Sequence, residues 1–237
     1  MLIQADASGL EWRVLVELAQ DAIGIEEIVS KADIHTNNQK DFSLPSRLIA
    51  KKYLFRTIYR GTGWAFANDN EFMHVSTSAK YWDNVNEMFY NKYKGIDILH
   101  NKWYTDCIAG RNIVGPLGRE WFISTKNKDG EFVLPINSIT NYPVQGTGAD
   151  IVMIARVSMF NKVKLLGLLD EIKFVSSVHD SIVLDIPDKH LELCKELFYK
   201  TFDDLIPNIK KIFGYEWKTP LGCECKWGPN MAEMEKG

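Results

Sequence analysis

The sequence predicts an α+β fold in which a helical middle segment is inserted into a platform made by the two ends of the chain. Strand-like stretches lie at the N-terminus and again from about residue 111 onward. Helical periodicity dominates the middle, roughly residues 30–110. The sequence contains no internal repeat, low-complexity segment or Ser/Gly linker. We therefore expect one good-sized domain or two closely packed subdomains.

The first half of the chain reads as one strand followed by helices. MLIQAD predicts a short strand that ends at Asp6, and the apolar spacing after it predicts a helix. Pro45 precedes a basic helix, as is usual for a helix start, and Ser78 is a candidate N-cap for another. The helices predicted in this half span residues 10–20, 47–61, 76–94 and about 95–109.

The second half mixes strands with longer helices. IKFVSSV and SIVLDI flank His179 and Asp180, which predicts a tight hairpin. Apolar residues at helical spacing predict a long helix that begins near Gln145 and another over about 188–205. The remaining strand-like stretches are 111–124, 131–136 and 217–227.

Composition and charge are those of an ordinary globular protein. Of the 237 residues, 46% are hydrophobic and 25% are charged, and the net charge is −3. A site for a polyanion must therefore come from local clustering of basic residues and not from global charge. No apolar run is long enough to cross a membrane, and the N-terminus lacks a signal-peptide pattern, so we expect no membrane partner.

Four cysteines are scattered through the chain, which predicts reduced thiols in a cytoplasmic protein. They are Cys107, Cys194, Cys223 and Cys225. The last two lie two residues apart in a predicted strand and would share a face. A zinc site would need two more ligands at a suitable spacing, and the sequence offers none, so we interpret these residues as ordinary thiols.

The stretch RLIAKKYLFRTIYRG carries an unusual pattern of side chains at helical spacing. One line, with a residue every fourth position on one helix face, consists of Arg47, Lys51, Phe55 and Tyr59. A second line beside it is purely basic and consists of Lys52, Arg56 and Arg60. A solvated helix face would not explain why aromatic residues continue the cationic line. Two cations followed by two aromatics suit the phosphates, sugar and base of a nucleotide.

Two aspartates, Asp6 and Asp180, sit where predicted strands end. An aspartate at such a place is usually a turn former, so neither is a strong signal alone. Two carboxylates on adjacent strands could, however, hold two Mg²⁺ ions, which need only one or two protein carboxylates each. Such ions would activate an attacking hydroxyl and stabilise a leaving pyrophosphate.

Several segments resemble motifs of the family A DNA polymerases, the bacterial repair-type and phage replicative enzymes. DASGLEWR is similar to the D-x-S-x-x-E-x-R pattern of motif A, and RLIAKKYLFRTIY to the R-x-x-x-K-x-x-x-F-x-x-x-Y pattern of motif B. VHDS contains the H-D core of motif C. DIHT, NYPVQGTGAD and the closing CECKWGPN also match blocks of the family in the right order.

The resemblance runs from Asp6 to about Asn230 and implies the C-terminal palm and fingers portion of such an enzyme. It implies an antiparallel-sheet palm with an inserted helical fingers subdomain, and neither a thumb nor an exonuclease domain. The implied boundaries are palm for 1–30, with the motif A strand and helix, fingers for 31–110, and palm again for 111–237, with the motif C hairpin and the C-terminal strand.

The resemblance also implies template-directed addition of dNTPs to a primer in primer–template DNA, with two Mg²⁺ ions as cofactors. The implied catalytic residues are Asp6, Asp180 and Lys51, and the implied metal ligands are Asp6, Asp180 and the backbone carbonyl of Ala7. The implied nucleotide-binding residues are Glu11, His35, Arg47, Lys51, Phe55 and Tyr59, of which Glu11 would exclude a 2′-hydroxyl. The implied DNA-binding residues are Arg13, Asn141, Gln145 and His179, three of which would contact the minor groove or primer terminus.

The chain departs from the family pattern at four positions. Ser181 stands where many members carry a glutamate after the H-D pair, so a third carboxylate is absent. Arg60 stands where the family has a glycine directly after the tyrosine, and it either adds a cation near the template or shifts the turn. Asn137 replaces a usual arginine, which removes one primer contact, and Ala7 is smaller than the usual aromatic.

Met1 lies only five residues before Asp6, so we expect the chain to be the catalytic part of a split polymerase. A second polypeptide would carry the thumb and the N-terminal palm, with or without an exonuclease. Missing palm strands would leave the Asp6 strand as an exposed edge, or leave an apolar patch. The expected location is the cytoplasm, which is that of the host if a phage encodes the chain.

Two other functions are compatible with parts of the pattern. A single-subunit RNA polymerase shares the two aspartates, the Lys/Tyr helix and an H-D-S motif, but Glu11 disfavours it because such enzymes tend to have a small residue there. A non-catalytic module that binds primer–template would not need the intact set of Asp6, Asp180, Arg47 and Lys51. Incorporation of ribonucleotides against deoxynucleotides, and primer extension with Mg²⁺, separate these readings.

Overall fold

Helices fill the middle of the chain and most strands lie near its ends, which confirms the predicted α+β class. The computed structural model describes residues 1–236. The elements of the first half are β1 (Leu2–Ala7), α1 (Leu10–Ala19), α2 (Ala22–Val29), α3 (Ile34–Asp41), α4 (Arg47–Thr57), α5 (Gly63–Ala67), α6 (Ala79–Lys92) and α7 (Lys94–Ile108). Those of the second half are β2 (Ile113–Val114), β3 (Glu120–Trp121), α8 (Ile136–Leu165), β4 (Lys173–Val178), β5 (Ser181–Asp185), α9 (Leu191–Asp203), α10 (Leu205–Phe213), β6 (Cys223–Gly228) and β7 (Glu235–Lys236).

The chain divides into two compact units. The first, called the sheet unit, comprises Met1–Arg13, Pro116–Gly118 and the described residues from Gln145 onward. The second, called the helical unit, comprises Val14–Gly115 and Arg119–Val144. The palm and fingers boundaries given above stay a prediction.

The sheet unit is built on an antiparallel sheet with the strand order β4-β5-β1-β6-β7. β1 therefore has a neighbour on each side, and the expectation that the Asp6 strand forms an open edge is wrong. Its side chains alternate between buried Ile3, Ala5 and Ala7 and the more exposed residues between them, including Asp6. α9 packs against β1 and β6.

The predicted hairpin is confirmed at β4 and β5. Val178 pairs with Ser181, so His179 and Asp180 form a two-residue loop. His179 has a φ of +53°, because loops of this length require positive φ at the first or both central positions. A register shift between Phe174 and Ser176 bends β4 before the loop.

An aromatic cluster forms the core of the helical unit. Trp82 of α6 is fully buried and stacks on Tyr53 of α4 at 6.1 Å and on Phe66 of α5 at 5.2 Å between ring centroids. Phe89, two turns further along α6, meets the Tyr53 ring edge-on. One side of this helix faces the core, since Trp82, Val85 and Phe89 are all buried.

The structure corrects several predicted boundaries. The long helix α8 begins at Ile136, nine residues before Gln145, and runs through Pro143. Proline usually ends a helix because it lacks an N–H and crowds the preceding turn, which explains the late start predicted for α8. The stretch 111–136 forms only β2, β3 and an isolated bridge between Lys126 and Phe132. The predicted helix 188–205 is a short 3₁₀ turn followed by α9. Of the strand predicted over 217–227, only the part in β6 forms.

The basic helix is also shorter than predicted. α4 ends at Thr57, so Tyr59 lies beyond it in the following turn. The side chain of Ser46 caps its N-terminus by accepting from the Ile49 N–H at 3.2 Å.

None of the helices within the described residues 1–236 combines the length and the apolar character needed to cross a membrane. Cys107, Cys194, Cys223 and Cys225 are free thiols, as the sequence predicts.

Candidate active site

Asp6 and Asp180 lie together at one end of the sheet unit's central strands. The Ala7 N–H donates to the backbone carbonyl of Asp180 at 3.0 Å, which ties the loop between β4 and β5 to the end of β1. Partial burial raises the pKa of Asp6, and the nearby charge of Asp180 raises it further. The two carboxylates are therefore close enough to repel each other and could share a cation.

This pair of oxygen donors suits Mg²⁺ better than a transition metal. In the part of the chain that the structure describes, no three His, Cys, Asp or Glu side chains converge into a metal-binding cluster, as zinc would require. Mg²⁺ needs only one or two carboxylates and takes its other ligands from water and phosphate. Ser181 adds no carboxylate, because its buried hydroxyl donates to the Val178 carbonyl at 2.9 Å and closes the hairpin.

Glu11 is held by Gln145 within the sheet unit. The Gln145 side-chain amide donates to the Glu11 carboxylate at 3.1 Å. A Cβ atom at Gly148 would lie 3.3 Å from the Leu10 side chain, so glycine allows α8 to approach α1 closely. The hydrogen bond restricts the rotamer of Glu11.

The other two predicted DNA-binding residues of the sheet unit differ in availability. His179 is exposed at the tip of the hairpin. Arg13 is engaged internally, since its Nε donates to the Ser8 carbonyl at 2.8 Å and its terminal nitrogen donates to the Pro220 carbonyl. Burial lowers the pKa of Arg13. A DNA-binding role for Arg13 stays a prediction, and its observed contacts are structural.

In the helical unit, Arg47 forms a two-point ion pair with Asp33. Its Nε and terminal nitrogen lie 2.8 and 3.1 Å from the two carboxylate oxygens. The same carboxylate caps α3 by accepting from the N–H groups of His35 and Thr36, both at 3.2 Å. The hydrogen bonds from Arg47 and then from Thr36 hold the pKa of Asp33 well below its ordinary value. Asp33 thus fixes the direction of the Arg47 fork.

His35 lies close to both Arg47 and Lys51. Burial lowers the pKa of His35, and the charges of Arg47 and Lys51 lower it further, so His35 is a neutral imidazole beside two cations. Lys51 is exposed and has no ion-pair partner among the described side chains. The structure therefore brings together the three residues that the sequence assigned to the triphosphate.

The second, purely basic line of side chains serves a different purpose. Each of its cations pairs with an acid inside the helical unit. The pairs are Lys52 with Glu71 at 2.6 Å, Arg56 with Asp69 at 2.8 Å, and Arg60 with Asp97 at 2.5 Å. These pairs connect α4 and the turn after it to the segment between α5 and α6 and to α7, whereas Lys51 on the first line has no ion-pair partner among the described side chains.

A pocket of about 500 Å³ opens beside the C-terminal end of α4. It is lined by Phe55, Arg56, Tyr59, Gly61, Asn137, Ser138, Asn141 and Tyr142. Five of these residues were not predicted as site residues, namely Arg56, Gly61, Asn137 (singled out only for a lost arginine), Ser138 and Tyr142. The spacing of 137 with 141 and of 138 with 142 could have revealed the last three, but only if the helix had been continued through Pro143.

Residues 1–233 match the family model described as DNA polymerase family A. The chain belongs to DNA polymerase family A. Curated relatives include a DNA polymerase I from Lactococcus lactis subsp. lactis (strain IL1403), which is 28% identical over 228 residues, 87% of this chain and 24% of that protein. A DNA polymerase I from Borreliella burgdorferi is 28% identical over 249 residues, 99% of this chain and 25% of that protein. The chain thus spans about a quarter of the length of these relatives.

The fold is also that of a solved family A polymerase domain. The chain is similar to the POL domain of Pol1 from M. smegmatis, a structure of a complex with DNA primer-template and dNTP, with a TM-score of 0.78 and 20% identity. The match covers 96% of this chain and 39% of that one.

We predict that the ion pair between Asp33 and Arg47 stabilises the chain in a pH-dependent way. Because the folded-state pKa of Asp33 is depressed, its contribution is fully present above the unfolded value of 3.8, begins to decline below that value, and is lost only as the pH falls through the lower folded-state pKa. Asp33→Asn keeps the cap but loses the ion pair, so its deficit in free energy of unfolding should be present at pH 7 and shrink towards pH 3. Asp33→Ala should lose about 1 kcal/mol more through the missing cap. Urea unfolding at several pH values measures both, and a deficit of Asp33→Asn that does not change with pH would contradict the assignment.

Proposed function

We propose that this chain catalyses template-directed addition of deoxynucleotides to the 3′ end of a DNA primer. The observation that carries the proposal is the Asp6–Asp180 pair at one end of the antiparallel sheet, in a chain that belongs to DNA polymerase family A. We assign the sheet unit to the palm, predicted as 1–30 and 111–237, and the core of the helical unit to the fingers, predicted as 31–110.

The carboxylates of Asp6 and Asp180, with the backbone carbonyl of Ala7, are the proposed ligands of two Mg²⁺ ions. When bound, these ions lower the pKa of the primer hydroxyl and neutralise charge on the leaving pyrophosphate. The protein's own part is to hold both carboxylates at fixed positions, which the bond between the Ala7 N–H and the Asp180 carbonyl achieves. Their mutual repulsion in the free protein favours uptake of cations.

The nucleotide is the proposed ligand of the helical unit. Phosphoryl transfer depends mainly on positioning and on charge stabilisation. Lys51 is exposed and free of an ion pair with the described side chains, so it can bind a phosphate oxygen, and Arg47 reaches the phosphates with a fork that Asp33 has already oriented. Neutral His35 can donate a hydrogen bond to the same group. Phe55 and Tyr59, in the lining of the pocket, pack on the base pair.

The remaining predicted residues are proposed to select the sugar and to bind DNA. Glu11 would occupy the space of a 2′-hydroxyl, with Gln145 holding it in place. Asn141, Gln145 and the exposed His179 would contact minor-groove acceptors. Because every base pair presents these acceptors, the contacts would check the geometry of base pairing without recognising the DNA sequence.

Primer extension with Mg²⁺ tests the polymerase function directly. We expect Asp6→Asn and Asp180→Asn each to lower the rate of nucleotide addition by roughly a thousandfold or more, because each removes a metal ligand. Asp129→Asn, which changes an exposed loop carboxylate, is the matched control and should extend normally. Extension by either active-site variant at the wild-type rate would exclude the metal assignment. Binding of primer–template by a wild-type chain that never extends it would favour the non-catalytic module.

Sugar selection separates the DNA polymerase from the RNA polymerase reading. Glu11→Ala should raise incorporation of ribonucleotides relative to deoxynucleotides by about tenfold or more, because the steric clash at C2′ disappears. Gln145→Ala should change the same ratio in the same direction by a smaller factor, since Glu11 then loses its hydrogen bond. Glu26→Ala, at an exposed glutamate of α2, serves as the control. A wild-type chain that prefers ribonucleotides would overturn the assignment of a DNA polymerase.

We also propose that a second polypeptide, with the thumb and the N-terminal palm strands, covers an apolar surface of the sheet unit. On α8, Met153, Val157 and Phe160 are exposed and recur on one face, and Val175 and Val178 are exposed on β4. Among the described strands, β4 pairs only with β5, so one of its edges is open. An exposed strand edge beside apolar side chains is typical of a protein-binding surface. Four free thiols are consistent with a cytoplasmic location for this assembly.

The affinity of this chain for primer–template tests whether a second polypeptide is needed for activity. DNA-binding proteins gain most of their non-specific affinity from phosphate contacts, and a net charge of −3 with few basic residues assigned to DNA predicts weak, salt-sensitive binding. We expect poor extension by the chain alone at about 0.1 M salt, near physiological ionic strength. Tight binding and rapid extension without any added protein would contradict the proposal.

A further inference from the structure

Arg60 lies at the end of α4, between two residues that line the pocket. The Gly61 N–H donates to the Arg56 carbonyl at 3.0 Å, which closes the helix end. The Arg60 N–H donates to the Thr57 carbonyl at 2.9 Å. Together these bonds place Arg60 at the position after the helix cap that adopts a left-handed conformation, and its φ is +61°. Glycine is usual here because a side chain is strained at positive φ.

Other helix ends in the chain provide a comparison. α7 closes with the same pair of bonds around Gly110, whose φ is +70°. Lys31 and Ser43 follow α2 and α3 in the same conformation, and both are exposed to solvent. Arg60 is instead partly buried, so its side chain makes contacts that the other two lack.

Those contacts connect the end of α4 to α6 and α7. The Arg60 guanidinium lies 4.1 Å from the centre of the Tyr90 ring and 2.5 Å from the Asp97 carboxylate. The Tyr90 hydroxyl donates to the Thr57 carbonyl at 3.0 Å, which is the carbonyl that also accepts from the Arg60 N–H. Burial raises the pKa of Tyr90, so it remains a neutral donor. A single ring therefore holds both the side chain of Arg60 and the backbone of the helix end.

The turn after Arg60 is fixed as well. The Asn86 side-chain amide donates to the Gly61 carbonyl at 2.9 Å, and the Tyr53 hydroxyl donates to Asn86 at 2.9 Å. A Cβ atom at Gly61 would lie 3.0 Å from the Phe66 ring, so this position accepts little more than glycine. Tyr59 is thus followed by two anchored residues. The side chain of Arg60 is held by Tyr90 and Asp97, and the backbone of Gly61 is held by Asn86.

We propose that Arg60 is a positioning residue for nucleotide selection, which acts by holding Tyr59 in the wall of the pocket. Arg60 does not line the pocket, although its neighbours Tyr59 and Gly61 do, so it acts from behind the wall. This inference rests on the proposed polymerase function, because it assigns the pocket to the nascent base pair. The sequence suggests that Arg60 either adds a cation near the template or shifts the turn. The structure favours neither, because the side chain is directed towards Tyr90 and the turn keeps the hydrogen bonds of an ordinary helix end.

The test compares Arg60→Gly and Arg60→Lys with Lys31→Gly. Lys31→Gly relieves the same backbone strain at an exposed residue that does not line the pocket. Its melting temperature should therefore rise while its nucleotide kinetics stay normal. Arg60→Gly relieves the strain but loses the stacking and the ion pair. Its melting temperature should fall or stay unchanged, and in single-nucleotide addition at saturating primer–template its KM for dNTP should rise about fivefold or more, with kcat changed less than about twofold. Arg60→Lys keeps the charge, so its KM for dNTP should lie between that of the wild type and that of Arg60→Gly.

The outcomes separate this inference from the proposed function. A rise in KM for Arg60→Gly, partly rescued by Arg60→Lys, supports it. A wild-type chain that adds nucleotides, together with an Arg60→Gly variant of unchanged KM, overturns the inference and leaves the polymerase function intact. A gain in melting temperature for Arg60→Gly equal to that of Lys31→Gly also overturns it, because the side chain would then contribute nothing. A wild-type chain that adds no nucleotide overturns the polymerase function, and the nucleotide role of Arg60 with it.

Discussion

The pairing of β1 with a strand on each side is the constraint on which the sheet unit depends. β5 places the hairpin loop with Asp180 beside the end of β1, and the Ala7 N–H bonds to the loop's backbone. β6 occupies the other side and puts Glu224 opposite Asp6. Like charges opposite one another destabilise a sheet, so this end of the sheet gives up stability in the free protein to keep carboxylates together. Carboxylates held close together in this way are typical of functional sites.

The basic side chains of the helical unit fall into two groups, those that pair with an acid inside the unit and those that do not. Lys52 and Arg56 pair with Glu71 and Asp69 in the segment between α5 and α6, and Arg60 pairs with Asp97 of α7, so all three contribute to the position of α4. Lys51 has no such partner in the described chain, and Arg47 is oriented without being buried. The seven basic and aromatic residues that share two lines in the sequence thus differ in their partners. One line contains Lys51, which has no acidic partner among the described residues, and the other consists of cations that each pair with an acid. This division follows from which acids pack nearby, and spacing alone does not contain that information.

Sequence patterns predicted the features that depend on local chemistry. The hairpin around His179 and Asp180 and the N-cap at Ser78 are set by residues close together in the chain. The start of α8 was missed because Pro143 indicates a helix boundary locally, whereas in the structure the helix continues through it. The internal contacts of Arg13 and Arg60 were missed because their partners, Pro220 and Tyr90, lie far away in sequence. Long-range partners of this kind require the fold itself.

The most direct test of the central claim is cation binding to the Asp6–Asp180 pair. Mn²⁺, which has the same preference for oxygen ligands as Mg²⁺, can be titrated into the wild-type chain and followed by electron paramagnetic resonance. The account predicts saturable binding by the wild type and loss of that binding in both Asp6→Asn and Asp180→Asn, with the fold retained by circular dichroism. Undiminished Mn²⁺ binding in either variant would contradict it, because the sheet would then not be holding the two carboxylates for a shared cation site.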